Sequence, residues 1–403
     1  DITAARDIDF EDDATIAVDA GKTFSLSRVD SGININITGD GQFTKAGSGT
    51  MVLNDSNNHL GGTLIDAGTL ALNDTGADNS ALQSAVTINA GGTLRSDQND
   101  QINDAVLVHV NGGEWNLNHA SETIGNGELA MTGGTVSATG SGYFELGSQI
   151  TTHASATTAT ISAPITVTDP LVNLTVADGA AASDLTISGV ISGSSSYNVI
   201  KQGAGTLTLS GANTVGRLRL HEGTLAVAHD QALGTQVFTV SNSGGRLEGV
   251  GTRTLANNIS LGADLTLAGS QLTLSGDING SSSDDLTKIG AGHHTLSGSN
   301  TYTGTTTVAG GTLQFARRTS LYNATPSNWT TAKLSVDAGA TLAVNVGGTG
   351  EFTPSDLDTL KGLGNGTGGF QAGSFIGIDT SNASGGNFTY NSNITFITFI
   401  TFI

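Results

Sequence analysis

The chain has 403 residues, among them 57 glycines, four prolines and no cysteine, and its net charge at pH 7 is −20 although only 12% of its residues are charged. The lack of cysteine excludes disulfides, thiolate metal sites and cysteine nucleophiles, and too few lysines and arginines cluster to bind nucleic acid. No apolar run reaches the roughly 18 residues that a membrane-spanning helix needs, so we expect no transmembrane segment.

The first feature along the chain is an acidic segment with alternating carboxylates. Its acidic residues are spaced like those on one face of a strand, at Asp7, Asp9, Glu11 and Asp13. Carboxylate oxygens are the ligands that calcium prefers, so calcium is the one cofactor that the sequence suggests. A solvated acidic edge is the alternative, because neither the EF-hand pattern nor the glycine-rich nonapeptide of calcium-binding β-rolls occurs.

A phrase that begins with lysine occurs three times and contains a glycine-bounded apolar strand and an asparagine. The lysines are Lys45, Lys201 and Lys288, and the asparagines, each twelve residues later, are Asn57, Asn213 and Asn300. Asparagine close to glycine or aspartate favours a left-handed backbone or an Asx turn. We therefore predict that these six are structural repeat residues at stacked corners rather than ligands of a partner.

Strands that begin with glycine recur at a fixed spacing. Gly92, Gly113 and Gly134 are 21 residues apart, and Gly223 and Gly245 are 22 apart. Periods of roughly 20 to 50 residues indicate stacked supersecondary units. Within the strands apolar and polar residues alternate, which places leucines inside and threonines outside. The sequence therefore predicts an all-β solenoid, a single-stranded parallel β-helix with rungs of about 21 to 22 residues.

Two stretches interrupt this rhythm and divide the chain. Residues 1–316 are predicted as solenoid repeats, 317–338 as a loop insertion and 339–394 as C-terminal rungs. Within the last range, a threonine cap is followed by proline and, at the third helical position, by aspartate. This pattern predicts one short helix over about 354–361.

The last nine residues, 395–403, are a low-complexity tail that repeats Thr-Phe-Ile. As β structure, the tail forms an edge strand that is prone to pair with another chain. The alternative is a sequence foreign to the natural chain, because a period of three matches neither strand nor helix alternation.

Two adjacent histidines, His293 and His294, lie in the third copy of the lysine phrase. Adjacent residues of a strand point to opposite faces, so the two rings cannot hold one metal ion. We interpret them as a surface pair, and the sequence suggests no metal site apart from the calcium candidate.

The sequence of the lysine phrase resembles that of a known repeat family. Segments 288–313 and 201–214 resemble the autotransporter-associated β-strand repeat, also called the passenger-associated transport repeat. The resemblance implies a right-handed parallel β-helix that is extracellular or on the bacterial cell surface, associated with the outer membrane, and often acts in adhesion or self-association. The family assigns no catalytic residue to the lysine, glycines or asparagine, so we expect no enzyme and no catalytic residue.

These features favour a structural or adhesive surface protein. The expected partners are further copies of the chain, in an oligomer or filament, and surface glycans, which hydroxyl-rich faces can contact through many weak hydrogen bonds. One alternative is a carbohydrate-active β-helix enzyme, but this needs two carboxyls about 5 to 10 Å apart, and no acidic pair recurs at the rung spacing. Another alternative is a passive spacer that displays a further domain.

Overall fold

The computed structural model describes residues 2–4, 8–26, 37–55, 60–75, 80–364, 368–383, 388–391 and 399–402. The chain divides into two compact units, unit 1 (Asp1–Gly216) and unit 2 (Arg217–Ile403). Both units are made almost entirely of short parallel strands. Within the described ranges, no helix is long and apolar enough to cross a membrane.

Unit 1 is built of short strands that are separated by turns, as its threonine and glycine content favours. Its described strands are β1 (Ile2–Ala4), β2 (Ile8–Asp9), β3 (Ala14–Ala17), β4 (Thr23–Leu26), β5 (Ile37–Thr38), β6 (Phe43–Ala46), β7 (Thr50–Leu53), β8 (Thr63–Ile65), β9 (Gly68–Leu72), β10 (Val86–Asn89), β11 (Gly92–Ser96), β12 (Leu107–Asn111), β13 (Glu114–Asn116), β14 (Ser121–Ile124), β15 (Glu128–Met131), β16 (Thr135–Ser137), β17 (Tyr143–Leu146), β18 (Gln149–Thr152), β19 (Ala159–Ile161), β20 (Ile165–Val167), β21 (Leu171–Val176), β22 (Leu185–Ile187), β23 (Ile191–Gly193), β24 (Asn198–Gln202) and β25 (Thr206–Leu209).

Successive strands of unit 1 lie on different sheets. Sheet 1 stacks β1, β4, β7, β9, β11, β13, β16, β19, β22 and β25; sheet 2 stacks β3, β6, β8, β10, β12, β15, β18, β21 and β24; sheet 3 stacks β14, β17, β20 and β23. The chain passes through β12, β13 and β14 on sheets 2, 1 and 3, and β15 then returns to sheet 2 and pairs in parallel with β12. Each such circuit is one rung, so the predicted parallel β-solenoid is confirmed.

The length of a rung varies more than the sequence period suggested. Val86 pairs with Val108 and Val108 with Leu129, as the spacing of the glycine-led strands predicts. By contrast, Thr50 pairs with Thr69, which makes that rung shorter than the period. The strands stay in register because the corners absorb the difference in length.

The core of unit 1 contains continuous apolar rows. Along sheet 1, one inward row is formed by Leu70, Leu94, Trp115, Val136, Ile161, Ile187 and Leu209. All seven side chains are fully buried, and burial of one large apolar side chain contributes about 1.5–3 kcal/mol. The predicted alternation of inward apolar and outward polar residues is therefore confirmed for this sheet.

Unit 2 has the same construction with longer strands. Its described strands are β26 (Arg217–Leu220), β27 (Thr224–Val227), β28 (Phe238–Val240), β29 (Gly245–Leu255), β30 (Ile259–Leu261), β31 (Leu265–Leu274), β32 (Ile278–Asn279), β33 (Leu286–Lys288), β34 (His293–Leu296), β35 (Thr306–Val308), β36 (Thr312–Phe315), β37 (Leu334–Val336), β38 (Thr341–Asn345), β39 (Gly369–Phe370), β40 (Phe375–Asp379) and β41 (Phe399–Phe402).

In unit 2, the long strands β29 and β31 each have two paired segments, and each segment is part of a different ladder of stacked strands. β29 and β31 pair along two segments, with a shift of register between Gly249 and Thr252. One ladder continues through β33, β35, β37 and β39, and the other through β34, β36, β38, β40 and β41. The rung from Thr341 to its partner Phe375 is much longer than the sequence period. Unit 2 is thus a parallel solenoid with enlarged rungs near its C-terminal side; its handedness stays a prediction.

The range 317–338, predicted as a loop, holds three short 3-10 helices and a strand. The helices are Arg318–Ser320, Tyr322–Ala324 and Pro326–Asn328. β37 follows inside the same range, because Leu334 and Val336 are buried and complete an inward row. The inserted segment is therefore shorter than the sequence rhythm indicated.

The short helix predicted over about 354–361 is confirmed as α1, Pro354–Lys361. The backbone N–H of Asp356 donates to Thr353 Oγ1 (3.2 Å), and the backbone N–H of Thr353 donates to Asp356 Oδ2 (2.9 Å), which forms a capping box. Leu357 and Leu360 are buried and seat the helix against unit 2.

The C-terminal tail contributes β41, which pairs in parallel with β40 of the same chain. Residues 395–398 and 403 of the predicted tail lie outside the described residues. Pairing of the tail with another chain stays a prediction.

Candidate functional site

The lysines of the repeated phrase are buried inside corners, each with 0% exposure. The Lys45 ammonium donates to the carbonyl oxygens of Ala46 (2.9 Å) and Gly47 (2.8 Å), which form its own corner. It also donates to the carbonyl oxygen of Ala67 in the next rung (2.9 Å). One side chain thus joins two stacked corners.

The other two copies repeat this geometry. The Lys288 ammonium donates to the carbonyl oxygens of Gly290 (2.9 Å) and, in the following rung, Gly310 (3.1 Å), while Lys201 donates to Gly203 (2.6 Å). Burial lowers the pKa of Lys288 to about 8, but the carbonyl oxygens favour the ammonium form. We call these lysines brackets, because each is a charged donor inside a corner, and Lys45 and Lys288 also bond the corner of the next rung.

We expect Lys45→Met to lower the free energy of unfolding by about 2 kcal/mol. Methionine keeps the apolar stem but leaves three partly buried carbonyl groups without their donor, at the low end of roughly 1–3 kcal/mol each, and removal of a buried charge offsets part of this loss. Urea unfolding measures the difference. Lys22→Met is the matched control, because Lys22 is exposed; equal effects of the two substitutions would show that Lys45 is not a bracket.

The asparagines of the phrase bind the preceding rung. Asn213 Oδ1 accepts from the backbone N–H of Ile191 (2.8 Å), and Asn300 Oδ1 accepts from that of Ile278 (2.9 Å). Neither asparagine has a positive φ, so of the two conformations that the sequence favours, the left-handed backbone does not occur at these two, and each makes a bond across the stack. Asn57 lies outside the described residues.

Two further side chains make the same cross-rung bond at positions that the repeats do not mark. Gln101 Oε1 accepts from the backbone N–H of Asp74 (2.7 Å), and Glu122 Oε1 accepts from that of Ile102 (2.8 Å). Both side chains are fully buried. Sequence reasoning missed them because the rungs around them lack the lysine phrase and therefore offer no signal of position.

Glu122 is an acid inside the core of unit 1. Its second oxygen, Oε2, lies 3.0 Å from Ser96 Oγ, which can donate to the ionised carboxylate or accept the proton of the neutral acid. Burial raises the pKa of Glu122 to about 8, against the opposing effect of its hydrogen bonds. The carboxyl group is therefore mostly protonated at neutral pH, and it bonds the neighbouring rung as a neutral group, as an amide side chain would.

The outward face of sheet 1 carries one row of threonines, which we call the threonine row. In register, its members are Thr23, Thr50, Thr69, Thr93, Glu114, Thr135, Thr160, Thr186 and Thr208. Neighbouring strands are about 4.8 Å apart, so the hydroxyl groups repeat at about that interval. All nine side chains are half-buried by their neighbours. The outward row of sheet 2 is less regular, because leucine, histidine and alanine interrupt it.

An open groove of about 420 Å³ follows this row, where glycines lie at the start of β11 and directly before β13 and β16. A Cβ at Gly113 would lie 2.5 Å from the carbonyl oxygen of Asn89, so only glycine fits there. Thr93, Glu114 and Thr135 form the rim of the groove. The bare backbone therefore leaves these three side chains accessible along one edge.

The adjacent histidines of the third copy point to opposite faces, as the alternation requires, but they are not a surface pair. His293 is half-buried and its Nε2 lies 2.5 Å from Gln314 Oε1. His294 is 0% exposed and stands in the apolar row between Leu272 and Leu313. The surface interpretation is wrong for His294, because its position in β34 points inward and its side chain is buried in the core.

His294 is also unusual in its surroundings. Neither of its ring nitrogens makes a hydrogen bond of ordinary geometry, and only a weak contact with the backbone of Gly269 favours the charged ring. Burial, and to a smaller extent the charges of Lys288 and His293, lower the pKa of His294 to about 3. The ring is therefore neutral across the physiological pH range. It occupies a position where the two neighbouring strands have leucine.

The calcium candidate is only partly within the described residues. Asp9 and Asp13 each accept one hydrogen bond from the adjacent rung, Glu11 is exposed, and Asp7 is not described. Across the described ranges, no group of three histidine, aspartate or glutamate side chains is arranged to hold a metal ion. Calcium binding at this segment stays a prediction.

One group of carboxylates in unit 1 was not expected from the sequence. Thr123 Oγ1 lies 3.1 Å from Asp100 Oδ1 and 3.5 Å from Glu145 Oε2. Burial, together with Asp100 and Glu145, raises the pKa of Asp104. Sequence spacing could not reveal the group, because Asp100 and Asp104 lie in turns rather than at a fixed position of the rung. The single hydroxyl hydrogen of Thr123 can be donated to Asp100 or to Glu145, which lie in the rungs on either side of it.

Comparison with known proteins identifies the repeated phrase. A family model described as Passenger-associated-transport-repeat matches residues 43–72, 199–227 and 286–315. The Adhesin BmaC autotransporter of Brucella suis biovar 1 (strain 1330) is 29% identical over 287 residues, which cover 66% of this chain and 7% of that protein. The chain thus corresponds to a small fraction of the length of this relative. No solved structure matches the chain significantly.

The three matched segments coincide with the lysine brackets and the strands that follow them. Lys45, Lys201 and Lys288 each lie inside one matched segment. The chain therefore carries three segments that match the passenger-associated transport repeat.

Proposed function

We propose that this chain is an extracellular, adhesive part of a bacterial surface protein, and that it attaches through rows of hydroxyl groups. The regular threonine row of unit 1 is the observation that carries the proposal. The similarity to an autotransporter adhesin supports it. The bracket lysines of this chain are buried, so attachment must come from outward positions.

The threonine row suits a ligand that itself repeats. Each hydroxyl is both a donor and an acceptor, and each single bond exchanged with water contributes little net free energy. Many equivalent contacts along one ligand raise the effective concentration at each further site. A glycan chain or the matching row of another copy meets this requirement, whereas a small isolated molecule does not.

The charge of unit 1 indicates which ligands the row admits. By sequence, Asp1–Gly216 contains 6 basic and 23 acidic residues, a net charge of −17. The row itself contains one charged side chain, Glu114, in nine positions. A neutral strip on an acidic unit favours neutral polyhydroxyl ligands and disfavours polyanions.

The triple variant Thr93→Val, Thr135→Val and Thr160→Val tests the row. Valine keeps the shape and strand preference of threonine but removes the hydroxyl. We expect attachment of the purified chain to immobilised neutral glycans to weaken about tenfold, because several hydrogen bonds are lost together. A surface-binding assay with several glycans measures the effect.

The matched control for the row carries the same substitutions on sheet 2, at Thr44, Thr87 and Thr151, which are equally half-buried. This control should attach like the unmodified chain. If both triple variants lose attachment equally, the threonine row has no special part in it.

We further infer that the chain is not an enzyme and that copies associate with one another at the cell surface. The relative named above is an adhesin, and the chain carries a transport repeat to which no catalytic residue is assigned, which supports a non-enzymatic role. Self-association draws support from the repeated hydroxyl rows, which are complementary to themselves.

A further inference from the structure

A small pocket of unit 2 lies where the rungs depart most from the regular repeat. It has a volume of about 390 Å³ and is lined by Ser297, Arg317, Gly348, Thr349, Glu351 and Asn382, among others. These residues come from the corners that follow β34, β36, β38 and β40, four neighbouring parallel strands. Because the carboxyl ends of parallel strands meet at one edge of a sheet, residues far apart in sequence converge there.

The walls of the pocket are fixed by contacts with the inserted elements. The backbone N–H of Arg318 donates to the carbonyl oxygen of Gly350 (2.9 Å), which ties the insertion to the turn after β38. Arg318 Nε also lies 3.0 Å from Asp356 Oδ2 of α1, and its guanidinium lies over the ring of Trp329, 5.5 Å from the centroid. The pocket is therefore organised before any ligand enters.

One side of the pocket is a hydrogen-bond acceptor of fixed geometry. Glu351 is only 8% exposed. Its Oε2 accepts from the backbone N–H of Gly348 (2.7 Å), and its Oε1 accepts from Asn382 Nδ2 (2.8 Å). A carboxylate has about four lone-pair sites, so these two bonds orient Glu351 and leave capacity for a hydroxyl group of a ligand.

The other side of the pocket is a cation. Arg317 is exposed, and none of the ion pairs found in the described part of the chain involves it. A guanidinium presents a planar fork of donors that matches a carboxylate with two parallel bonds. Arg317 and Glu351 line one pocket without forming an ion pair with each other, which leaves the fork available to a ligand.

We propose that this pocket binds a carboxylated sugar at the end of, or within, a surface glycan. The sugar carboxylate would pair with Arg317, and ring hydroxyls would donate to Glu351 and bond the amide of Asn382. The volume lies near the lower end of the roughly 300–1,000 Å³ of ligand pockets, which suits one or two sugar rings. The inference rests on the proposed adhesive function and adds a specific subsite to the neutral threonine row.

Saturation-transfer NMR titration of the full chain with D-glucuronate, and separately with D-glucose, tests the pocket. We expect Arg317→Gln to weaken glucuronate binding about tenfold, since a hydrogen-bonded charge pair is lost, and to leave the weaker glucose binding unchanged. Asn382→Ala should weaken both sugars. Arg217→Gln is the matched control, because Arg217 is exposed on β26, outside the pocket.

Glucuronate binding that is unchanged in Arg317→Gln, or glucose binding as tight as glucuronate binding in the unmodified chain, would overturn the pocket assignment. So would an absence of glucuronate binding. In each of these cases, attachment to neutral glycans that still depends on the threonine row would leave the adhesive function standing. Thermal melting of each variant checks that the fold is intact.

Discussion

At pH 7, Glu122→Gln is expected to raise the free energy of unfolding by about 3 kcal/mol. Burial raises the pKa of Glu122 to about 8, from 4.5 in the solvated group. Between these values the folded chain holds a proton that the unfolded chain releases, so stability falls as the pH rises from 4.5 through 8. At about 1.4 kcal/mol per pKa unit, this costs about 3 kcal/mol at pH 7.

Glutamine avoids this cost because it is neutral at every pH. Its amide oxygen can accept from Ile102, and its amide N–H can donate to Ser96. Urea unfolding from pH 4 to pH 8 should show a declining stability for the unmodified chain and a flatter curve for the variant. Glu128→Gln is the control, since Glu128 is half-buried in the same unit. Parallel pH curves for Glu122→Gln and the unmodified chain would contradict the buried protonated acid.

His294→Leu should stabilise unit 2, and most strongly in acid. The pKa of His294 is lowered from 6.5 to about 3, so between these values the unfolded chain binds a proton that the folded chain does not. Stability is then lost as the pH falls from 6.5 toward 3, by about 3 kcal/mol at pH 4. At neutral pH the gain is about 1–3 kcal/mol, because leucine removes buried nitrogens that make no hydrogen bond of ordinary geometry.

Leucine fits this position because its in-register neighbours are Leu272 and Leu313. Hydrogen exchange of the β34 amides at pH 4 and pH 7 reports the local stability, which suits a solenoid whose rungs open separately. His293→Leu, one residue away on the outward face, should keep the loss of protection in acid. Equal acid sensitivity of His294→Leu and the unmodified chain would show that another group is responsible.

The fold could be predicted from sequence to the extent that repetition defines it. The strands that begin near Gly92, Gly113 and Gly134 stack as predicted. Their inward apolar side chains form part of the core, also as predicted. α1 could be predicted because its capping residues are local. The long rung between Thr341 and Phe375 could not, because a corner can lengthen without changing the strands that it connects.

The roles of single side chains were harder to predict than the strands. The lysines of the phrase were predicted only as structural repeat residues at stacked corners, and the structure adds that they are buried donors to carbonyl oxygens. Glu122 and Gln101 carry no motif at all, because any side chain with a terminal oxygen can accept the same cross-rung N–H. The pocket around Arg317 depends on four corners that converge only in three dimensions.

Attachment and unfolding, measured on the same two variants, test most directly whether the repeat is scaffold and the outward rows carry adhesion. Lys45→Met should unfold at lower urea concentration yet attach to glycans like the unmodified chain under conditions where it is folded. The threonine-row variant should unfold like the unmodified chain and lose about tenfold in attachment. The reverse result, with attachment lost in folded Lys45→Met and retained in the threonine-row variant, would contradict this division of roles.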